Sequence, residues 1–372
     1  MFLRNSWYVF GWNYELDEAG GVLGRVLLAE PVVVWRNTDG VLHAMQDRCP
    51  HRHAPLSMGR VKDDGLQCRY HGLTFDAAGV CIRVPGLAGT VDAKVRTFPV
   101  AEKNDWIWVW MGDPAQADPQ TIPPAFGINQ PGRKMRAGRM DYRAHYQLVH
   151  DNLCDLSHLD YVHETTLRPM TGAYWSATFP KVTKKGNGLH IERWFESAEA
   201  PDGSARVDTW SSYDFFVPGI FIMRASRYPE GTASRCGHVA PEGEQSINET
   251  IEQQAVTPID AKRSAYFFAT GVVGAKPAQT VDIEKRIAVI KAAFDEDRDI
   301  IEAQQRIWNL TAPDEKKIFL PQDRGPALMR NIMESLIAEE RASGYGHQFR
   351  HDANRSAVTS CMMIAEVSNQ ME

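Results

Sequence analysis

Two short runs carry groups that soft and borderline metals bind. Cys49-Pro50-His51 and Cys68-Arg69-Tyr70-His71 each pair a thiol with an imidazole, and 16 residues separate His51 from Cys68. Each run ends an apolar stretch and leads into turn-forming residues, so two loops at strand ends can bring four donors together. Two chemistries suit such a set. A 2Fe-2S cluster with mixed ligation takes two thiolates on one iron and two imidazoles on the other, which raises its potential above that of an all-thiolate cluster. A structural zinc ion also accepts two Cys and two His, although its usual spacing pairs Cys with Cys and His with His. The alternating order favours the cluster. His43 and His53 lie nearby, but a ligand at either position would break the paired spacing, so both are expected at the surface or behind the ligands.

Asn152, Asp155, His158 and His163 crowd metal-competent groups into twelve residues. Histidines five apart sit about 140° apart around an ideal helix, so both reach one ion only if the helix ends or bulges between them. The spacing therefore predicts a distortion near 159–162. The H-E-x-x-H pattern of zinc proteases is absent. A carboxylate able to join the two imidazoles comes from an amphipathic run near the C-terminus. With Ile290 as origin and about 100° per residue, Ile283, Ile287, Phe294, Ile301 and Trp308 fall within about 60° of one stripe, and Asp297 at about −20°. Asp295, Glu296, Arg298 and Asp299 fall outside it, where water would hydrate them. A carboxylate on an apolar stripe is costly unless it meets a charge or a metal. Two histidines and a carboxylate form the facial triad that holds Fe(II) and leaves positions open for oxygen. Two helix histidines, each satisfied by a neighbour, are the plainer alternative.

The rest of the chain must position these groups. Its 372 residues are 43% hydrophobic, and 41 Lys plus Arg against 47 Asp plus Glu leave −6. This length suits two domains, each able to bury a core, and the mildly acidic balance offers no footprint for nucleic acid or an anionic membrane. The most apolar run, 265–273, is far shorter than the ~20 residues of a membrane span. The start, MFLRNSWYVFGW, lacks the basic region and cleavage site of a signal peptide. A cytoplasmic protein is expected, with Cys49, Cys68, Cys81, Cys154, Cys236 and Cys361 as reduced thiols or metal ligands.

Short alternating runs over 22–29, 32–35, 42–46, 66–70, 73–75 and 106–111, punctuated by Asp39-Gly40, Asp64-Gly65 and Ala78-Gly79, predict a small all-β unit. The Asp- and Pro-rich stretch 112–124 places a boundary near 114–120, giving domains 1–115 and 116–372. Beyond it, 141–163 reads as helical, 189–197, 206–216, 220–227, 247–257 and 265–273 as strands, and 281–308 and 327–342 as helices. Strands clustered between helices argue for an α+β fold with an antiparallel sheet and helices on one face. Phe221, Met223, Gln254 and Phe268 would wall a largely apolar pocket, while Arg224 alternates to the opposite face. Trp7, Tyr8, Phe10 and Trp12 read as packing.

With C-P-H…C-R-Y-H upstream and N-x2-D-x2-H-x4-H downstream, the sequence resembles the oxygenase component of Rieske non-haem iron oxygenases. FLRNSWYVFGW, WIWVWMGD and FDEDRDIIEAQQ extend the similarity over nearly the whole chain. The compact length looks most like the vanillate and dicamba demethylase branch. The resemblance implies an N-terminal Rieske 2Fe-2S domain and a C-terminal helix-grip catalytic domain. It implies that Cys49 and Cys68 hold one cluster iron, that His51 and His71 hold the other, and that His158, His163 and Asp297 hold a mononuclear Fe(II). Asp155 matches a carboxylate that in the family links a cluster histidine of one subunit to an iron-ligating histidine of the next, which implies a homotrimer. Asn152 matches a polar position beside the iron.

What this implies is O2-dependent oxidative dealkylation of a substituted aromatic, such as an aryl ether or N-alkyl anilide. A ring- or side-chain-hydroxylating oxygenase is the alternative, and a Rieske electron carrier or zinc-binding module without enzymatic activity is a third reading. No flavin or nicotinamide fingerprint appears, so electrons from NAD(P)H must arrive through a ferredoxin and reductase or a fused reductase. Arg48, Arg52, Arg60, Lys62, Arg69 and Arg83 around the cluster loops either dock an acidic donor or form an ordinary solvated face.

Overall fold

The computed structural model describes residues 1–63, 65–130, 133–167, 174–199, 205–273, 282–312 and 315–343. Asp64, Val281 and Cys361, named above, lie outside them.

The first part of the chain forms three small antiparallel sheets. Its strands are β1 (Trp7–Trp12), β2 (Val22–Leu27), β3 (Glu30–Arg36), β4 (Leu42–Gln46), β5 (Arg60–Lys62), β6 (Gly65–Gln67), β7 (Thr74–Phe75), β8 (Cys81–Arg83), β9 (Thr97–Phe98), β10 (Val100–Lys103) and β11 (Trp106–Trp110), with one short helix, α1 (Asn13–Glu18). They pair in the orders β1-β11-β10, β2-β3-β4-β9 and β5-β6-β7-β8. The runs WYVFGW and WIWVW do not alternate because both strands are buried on two sides. Trp7, Val9, Trp12, Trp106, Trp108 and Trp110 pack on Ile220, Ile222, Ile251 and Phe267 of the following sheet. The intervening Tyr8, Phe10, Ile107 and Val109 point the other way, into a core with Val32 and Val34. The aromatic start is packing, as expected, but it packs as a strand that the alternation argument had left out.

The second part is one seven-stranded antiparallel sheet in the order β12-β18-β17-β16-β15-β14-β13. Its members are β12 (Arg133–Tyr142), β13 (Lys181–Lys185), β14 (Gly188–Glu199), β15 (Arg206–Phe216), β16 (Ile220–Pro229), β17 (Asn248–Asp260) and β18 (Arg263–Val273). The tryptophan layer covers one face. The other packs on α2 (Tyr146–Cys154), α5 (Ile283–Trp308) and α6 (Arg324–Ala342) around Tyr142, Leu148, Phe221, Phe268, Ile290, Phe294 and Met329. Two of these strands, β12 and β13, lie outside the runs expected as strands. The helix expected from Asp141 begins only at Tyr146, because Asp141 and Tyr142 belong to β12 and pair with Ala265 and Ser264. Two single turns, α3 (Leu159–Val162) and α4 (Thr232–Arg235), complete the described helices. None of these is long and apolar enough to cross a membrane.

Helix α5 starts at Asp282, whose carboxylate accepts from the main-chain N–H groups of Glu284 and Lys285. Ile283, Ile290, Phe294, Asp297 and Ile301 are buried as the stripe predicts. Trp308 is not: it is 37% exposed, and Glu302 and Gln305 are buried in the last turns instead. Their side-chain oxygens accept from the main-chain N–H of Arg143 at 2.9 Å and of His145 at 2.7 Å. These bonds tie the end of α5 to the start of α2, a task an apolar side chain cannot perform.

His150 on α2 is fully buried against Phe215 and Phe221, and neither ring nitrogen has a partner among the described residues. A Cβ built on Gly219 would lie 2.6 Å from its Nε2, so position 219 has no room for a side chain. Burial, with nearby His145, pushes the His150 pKa down to about 3. The imidazole is neutral when folded and takes up a proton when unfolded. Its contribution is therefore fully present above about 6.5 and is lost as pH falls toward the folded value. We expect His150→Leu to lack roughly 2 kcal/mol of the stability that the wild type loses between pH 7.5 and pH 5. Urea unfolding at both pH values checks this, and an unchanged pH dependence would contradict it.

Candidate metal centres

The two Cys-His runs fold into matching loops. In the first, Cys49 N donates to Ala54 O at 2.9 Å and His53 N to Cys49 O at 2.8 Å. In the second, Cys68 N donates to Leu73 O at 2.8 Å and Gly72 N to Cys68 O at 3.0 Å. His53 and Gly72 occupy equivalent places, both with left-handed backbone, at φ 57° and 76°. His53 is thus a turn residue at the surface, as expected. The thiols lie inside and the imidazoles outside. Cys49 and Cys68 are 2% exposed, whereas His51 and His71 are exposed with ring centroids 4.6 Å apart. Burial pushes the Cys49 thiol up to about 11, helped by the adjacent Cys68, so a cation is needed to hold it as thiolate.

This arrangement decides between the two chemistries. The buried thiols neighbour each other and the exposed imidazoles neighbour each other, whereas His158, His163 and Asp297 bring three ligand atoms within 4.8 Å of one another. A single zinc ion demands convergence on one point, whereas a two-iron cluster takes a thiol pair and an imidazole pair at opposite ends. The donors fit the cluster.

Helix α2 ends at Asp155, whose extended backbone (φ −130°, ψ 103°) breaks the helix and caps a 3-10 turn over Leu156–His158. α3 follows, and His163 lies just past its end at φ −106°. The departure from a regular helix that the spacing requires thus brackets 159–162: a 3-10 turn ends at His158, a single α-turn covers Leu159–Val162, and the helix stops before His163. Their rings come within 5.4 Å. His158 Nε2 and His163 Nε2 lie 3.4 Å and 3.3 Å from the same Oδ1 of Asp297, which is 4% exposed. Asn152 Nδ2 donates to that oxygen at 2.9 Å.

Both Nδ1 atoms face acceptors. His158 Nδ1 lies 2.6 Å from the main-chain oxygen of Asp155, and His163 Nδ1 lies 2.8 Å from Glu296 Oε2. The hydrogens therefore sit on Nδ1 and the Nε2 lone pairs converge beside a buried carboxylate, the arrangement a divalent metal requires. Burial holds His158 below the usual imidazole range. For His163 burial acts in the same direction, but the neighbouring Asp297 and Glu296 carboxylates prevail and raise it.

One sequence reading needs correction, that of Glu296. The Asp155 carboxylate accepts from Ser157 N at 2.9 Å and Ser157 Oγ at 3.0 Å, while its main-chain carbonyl holds the His158 ring. Glu296, assigned to solvent from its place on α5, accepts from His163 and from Thr166 Oγ1 at 2.7 Å. A carboxylate on a ligand's remote nitrogen fixes the ring and raises its basicity. We expect Glu296→Ala to weaken iron binding about tenfold to hundredfold with cluster absorbance unchanged, and Glu296→Gln to fall between, because its amide oxygen still accepts. Chelator competition reads this; equal affinity in all three proteins would contradict it.

Phe221, Gln254 and Phe268 are direct cross-strand neighbours on the helix-covered face, and Met223 lies beside them opposite Glu252. Arg224 points away and pairs with Glu249 at 2.8 Å. Arg52, Arg60, Lys62, Arg69 and Arg83 are exposed around the Cys-His loops, and Arg48 is half-buried.

Residues 6–99 match the Rieske 2Fe-2S domain, and residues 142–339 match the vanillate O-demethylase oxygenase C-terminal domain. This chain belongs to the Rieske non-haem iron oxygenases. It is 34% identical to the toluene-4-sulfonate monooxygenase system iron-sulfur subunit TsaM1 of Comamonas testosteroni, over 91% of this chain and 98% of that one. Identity to the dicamba O-demethylase oxygenase component of Stenotrophomonas maltophilia is 33%, over 82% and 88%. The crystal structure of dicamba monooxygenase with non-heme iron and dicamba superposes with a TM-score of 0.74 at 28% identity, covering 92% of this chain and 99% of that one. This Rieske oxygenase is an oxygenase component of a multicomponent monooxygenase and uses a Rieske cluster with a mononuclear iron.

Proposed function

We propose that this Rieske oxygenase dealkylates an aromatic ether or N-alkyl anilide by hydroxylating the alkyl carbon next to oxygen or nitrogen. The observation that carries this is the match of residues 142–339 to the O-demethylase catalytic domain, joined to an apolar wall of Phe221, Met223 and Phe268 on the helix-covered face. One atom of O2 enters the C–H bond and the other leaves as water, with two electrons and two protons supplied from outside. The resulting hemiacetal or carbinolamine then collapses to an aldehyde and a phenol or amine.

In this reading 1–115 is the cluster domain, with Cys49, Cys68, His51 and His71 as ligands, and 116–372 the catalytic domain, with His158, His163 and Asp297 holding iron. The metals, when bound, supply oxygen activation and electrons. The chain supplies the rest. Glu296 and the Asp155 carbonyl fix the imidazole rings, Asn152 holds Asp297 in place, and the buried wall excludes water.

A homotrimer and an electron donor complete the proposal. Leu310, Ile318, Phe319 and Leu320, between α5 and α6 in the sequence, are exposed, as are Met58, Tyr70 and Leu87 of the cluster domain. Exposed apolar side chains in both domains support a head-to-tail ring of identical copies. The basic residues around the cluster loops suit an acidic ferredoxin, reduced from NAD(P)H by its reductase. We read the protein as cytoplasmic.

A second reading, hydroxylation without loss of the group, is favoured by TsaM1, whose named substrate carries no O- or N-alkyl group. Incubation with ferredoxin, reductase and a panel of methoxybenzoates and N-alkoxyalkyl anilides separates the two. Aldehyde released in step with substrate consumed is the expected result. Substrate loss without aldehyde would replace dealkylation by hydroxylation.

A further inference from the structure

The cluster domain does not close everywhere on the face of the sheet that it covers. Between β1 and β2 on one side, and the ends of β12 and β17 with the start of β18 on the other, lies a cavity of about 350 Å3. Val9, Ile259 and Phe267 are among its apolar walls, and three arginines, Arg25, Arg139 and Arg263, line it with one acid, Asp141. The three cations are not equally satisfied. Arg25 Nη2 donates to Glu15 Oε1 at 2.6 Å, and Arg263 Nε to Asp260 Oδ2 at 2.7 Å. Arg139 Nη2 donates to Asp141 at 2.7 Å, but its Nε is buried and has no hydrogen-bond partner among the described residues. Arg25 and Arg139 also stand over one ring, their Cζ atoms 5.5 Å and 5.7 Å from the Phe267 centroid. Burial first, and then the Arg25 charge, push Arg139 below the ordinary arginine range, and Asp141, which is exposed to water, does not offset them.

A guanidinium that has lost water, faces a like charge and leaves a buried N–H unpaired is a cost to the free protein. An anion in the cavity removes that cost, because it supplies the missing acceptor and the missing charge at once. The volume exceeds what a bare oxyanion fills, and sites for small organic molecules have this size and combine apolar walls with a few polar groups. We propose that this cavity is a second ligand site, which holds the carboxylate of a small organic acid on Arg139 and packs the acid's apolar body against Phe267 and Val9. It is separate from the iron centre. Phe267 and Ala265 belong to the core on the tryptophan side of the sheet, whereas Phe294, one turn of α5 before Asp297, belongs to the core on the helix side. An occupant touches β1 and β2 of the cluster domain together with β12 and β18 of the seven-stranded sheet, so it binds only where the two are joined and stabilises the folded chain.

Equilibrium dialysis of the holoenzyme and its Arg139→Met and Arg139→Lys variants against hexanoate, 1-hexanol and inorganic phosphate tests this. Wild type should bind hexanoate at least about tenfold more tightly than 1-hexanol or phosphate. Arg139→Met should weaken hexanoate binding by at least about tenfold and leave 1-hexanol binding unchanged. Arg139→Lys should fall between, since it keeps the charge and loses the Nε–H donor. Saturating hexanoate should raise the melting temperature of wild type and not that of Arg139→Met, whose ligand-free melting temperature should be equal to that of wild type or higher, because an uncompensated cation is gone. Hexanoate affinity that survives in Arg139→Met overturns the proposal, as does 1-hexanol or phosphate bound as tightly as hexanoate. A ligand-free melting temperature lowered by several degrees in Arg139→Met also overturns it, and makes Arg139 the structural partner of Asp141.

Discussion

Asp297→Ala protein will keep the visible absorbance of the cluster, lose the mononuclear iron, and lose product formation by at least about a thousandfold. The reason is the geometry around one oxygen. Both Nε2 atoms and the Asn152 amide approach Asp297 Oδ1 within 3.4 Å, and the carboxylate is 4% exposed. Two neutral imidazoles alone bind Fe(II) weakly, and a third, charged donor is what closes the facial set. The cluster loops are spared because they draw on residues 49–54 and 68–73, held by their own main-chain bonds. Iron analysis alongside the absorbance spectrum reads both centres at once. Unchanged iron content would move the ligand role to Glu296, which already touches His163. Asp295 is a poorer substitute, since it is paired with Arg298 at 2.8 Å.

Asp155→Asn is expected to do the reverse: both metals retained, and turnover with the physiological donor lowered by at least about a hundredfold. Position 155 ends α2, and its carbonyl orients His158, a contact the asparagine keeps. An asparagine side chain can also accept from Ser157 N, so the local fold survives. What it loses is the charge that, in the proposed trimer, faces the cluster histidine of the next copy. Full turnover in this variant would remove Asp155 from the bridge and leave it as a helix-ending residue only.

How much of this was legible depended on what kind of signal each residue left. The candidate cluster donors and the candidate iron triad stand out in the sequence because only a few residue types bind such metals, and their spacing restricts the geometry further. Strand β15 matched its expected bounds, 206–216, and over Ser211–Phe216 buried and half-buried side chains alternate. The tryptophan strands left no alternation, since packing on both faces erased it. β12 was hidden differently: Met135 packs on the tryptophan side and Met140 and Tyr142 on the helix side, with charged residues interspersed. Glu296 was missed because a helical wheel assigns residues to faces of one helix. It cannot show that His163, beyond the end of α3, comes up beside that face. Trp308 failed for a related reason: periodicity continues to the end of α5, but the core does not.

In the proposed trimer the working pair of centres comes from two copies, and co-expression tests this. His71→Ala should abolish the intact cluster and Asp297→Ala the mononuclear iron, so each variant alone is inactive. Mixed assemblies of the two contain contacts in which an intact cluster domain faces an intact iron site of a neighbour, although no single chain has both. Purified by two different tags and supplied with donor, O2 and a methoxybenzoate, these assemblies should release aldehyde at a substantial fraction of the wild-type rate. Mixed assemblies as inactive as either parent would contradict the account and place the working pair of centres within one chain.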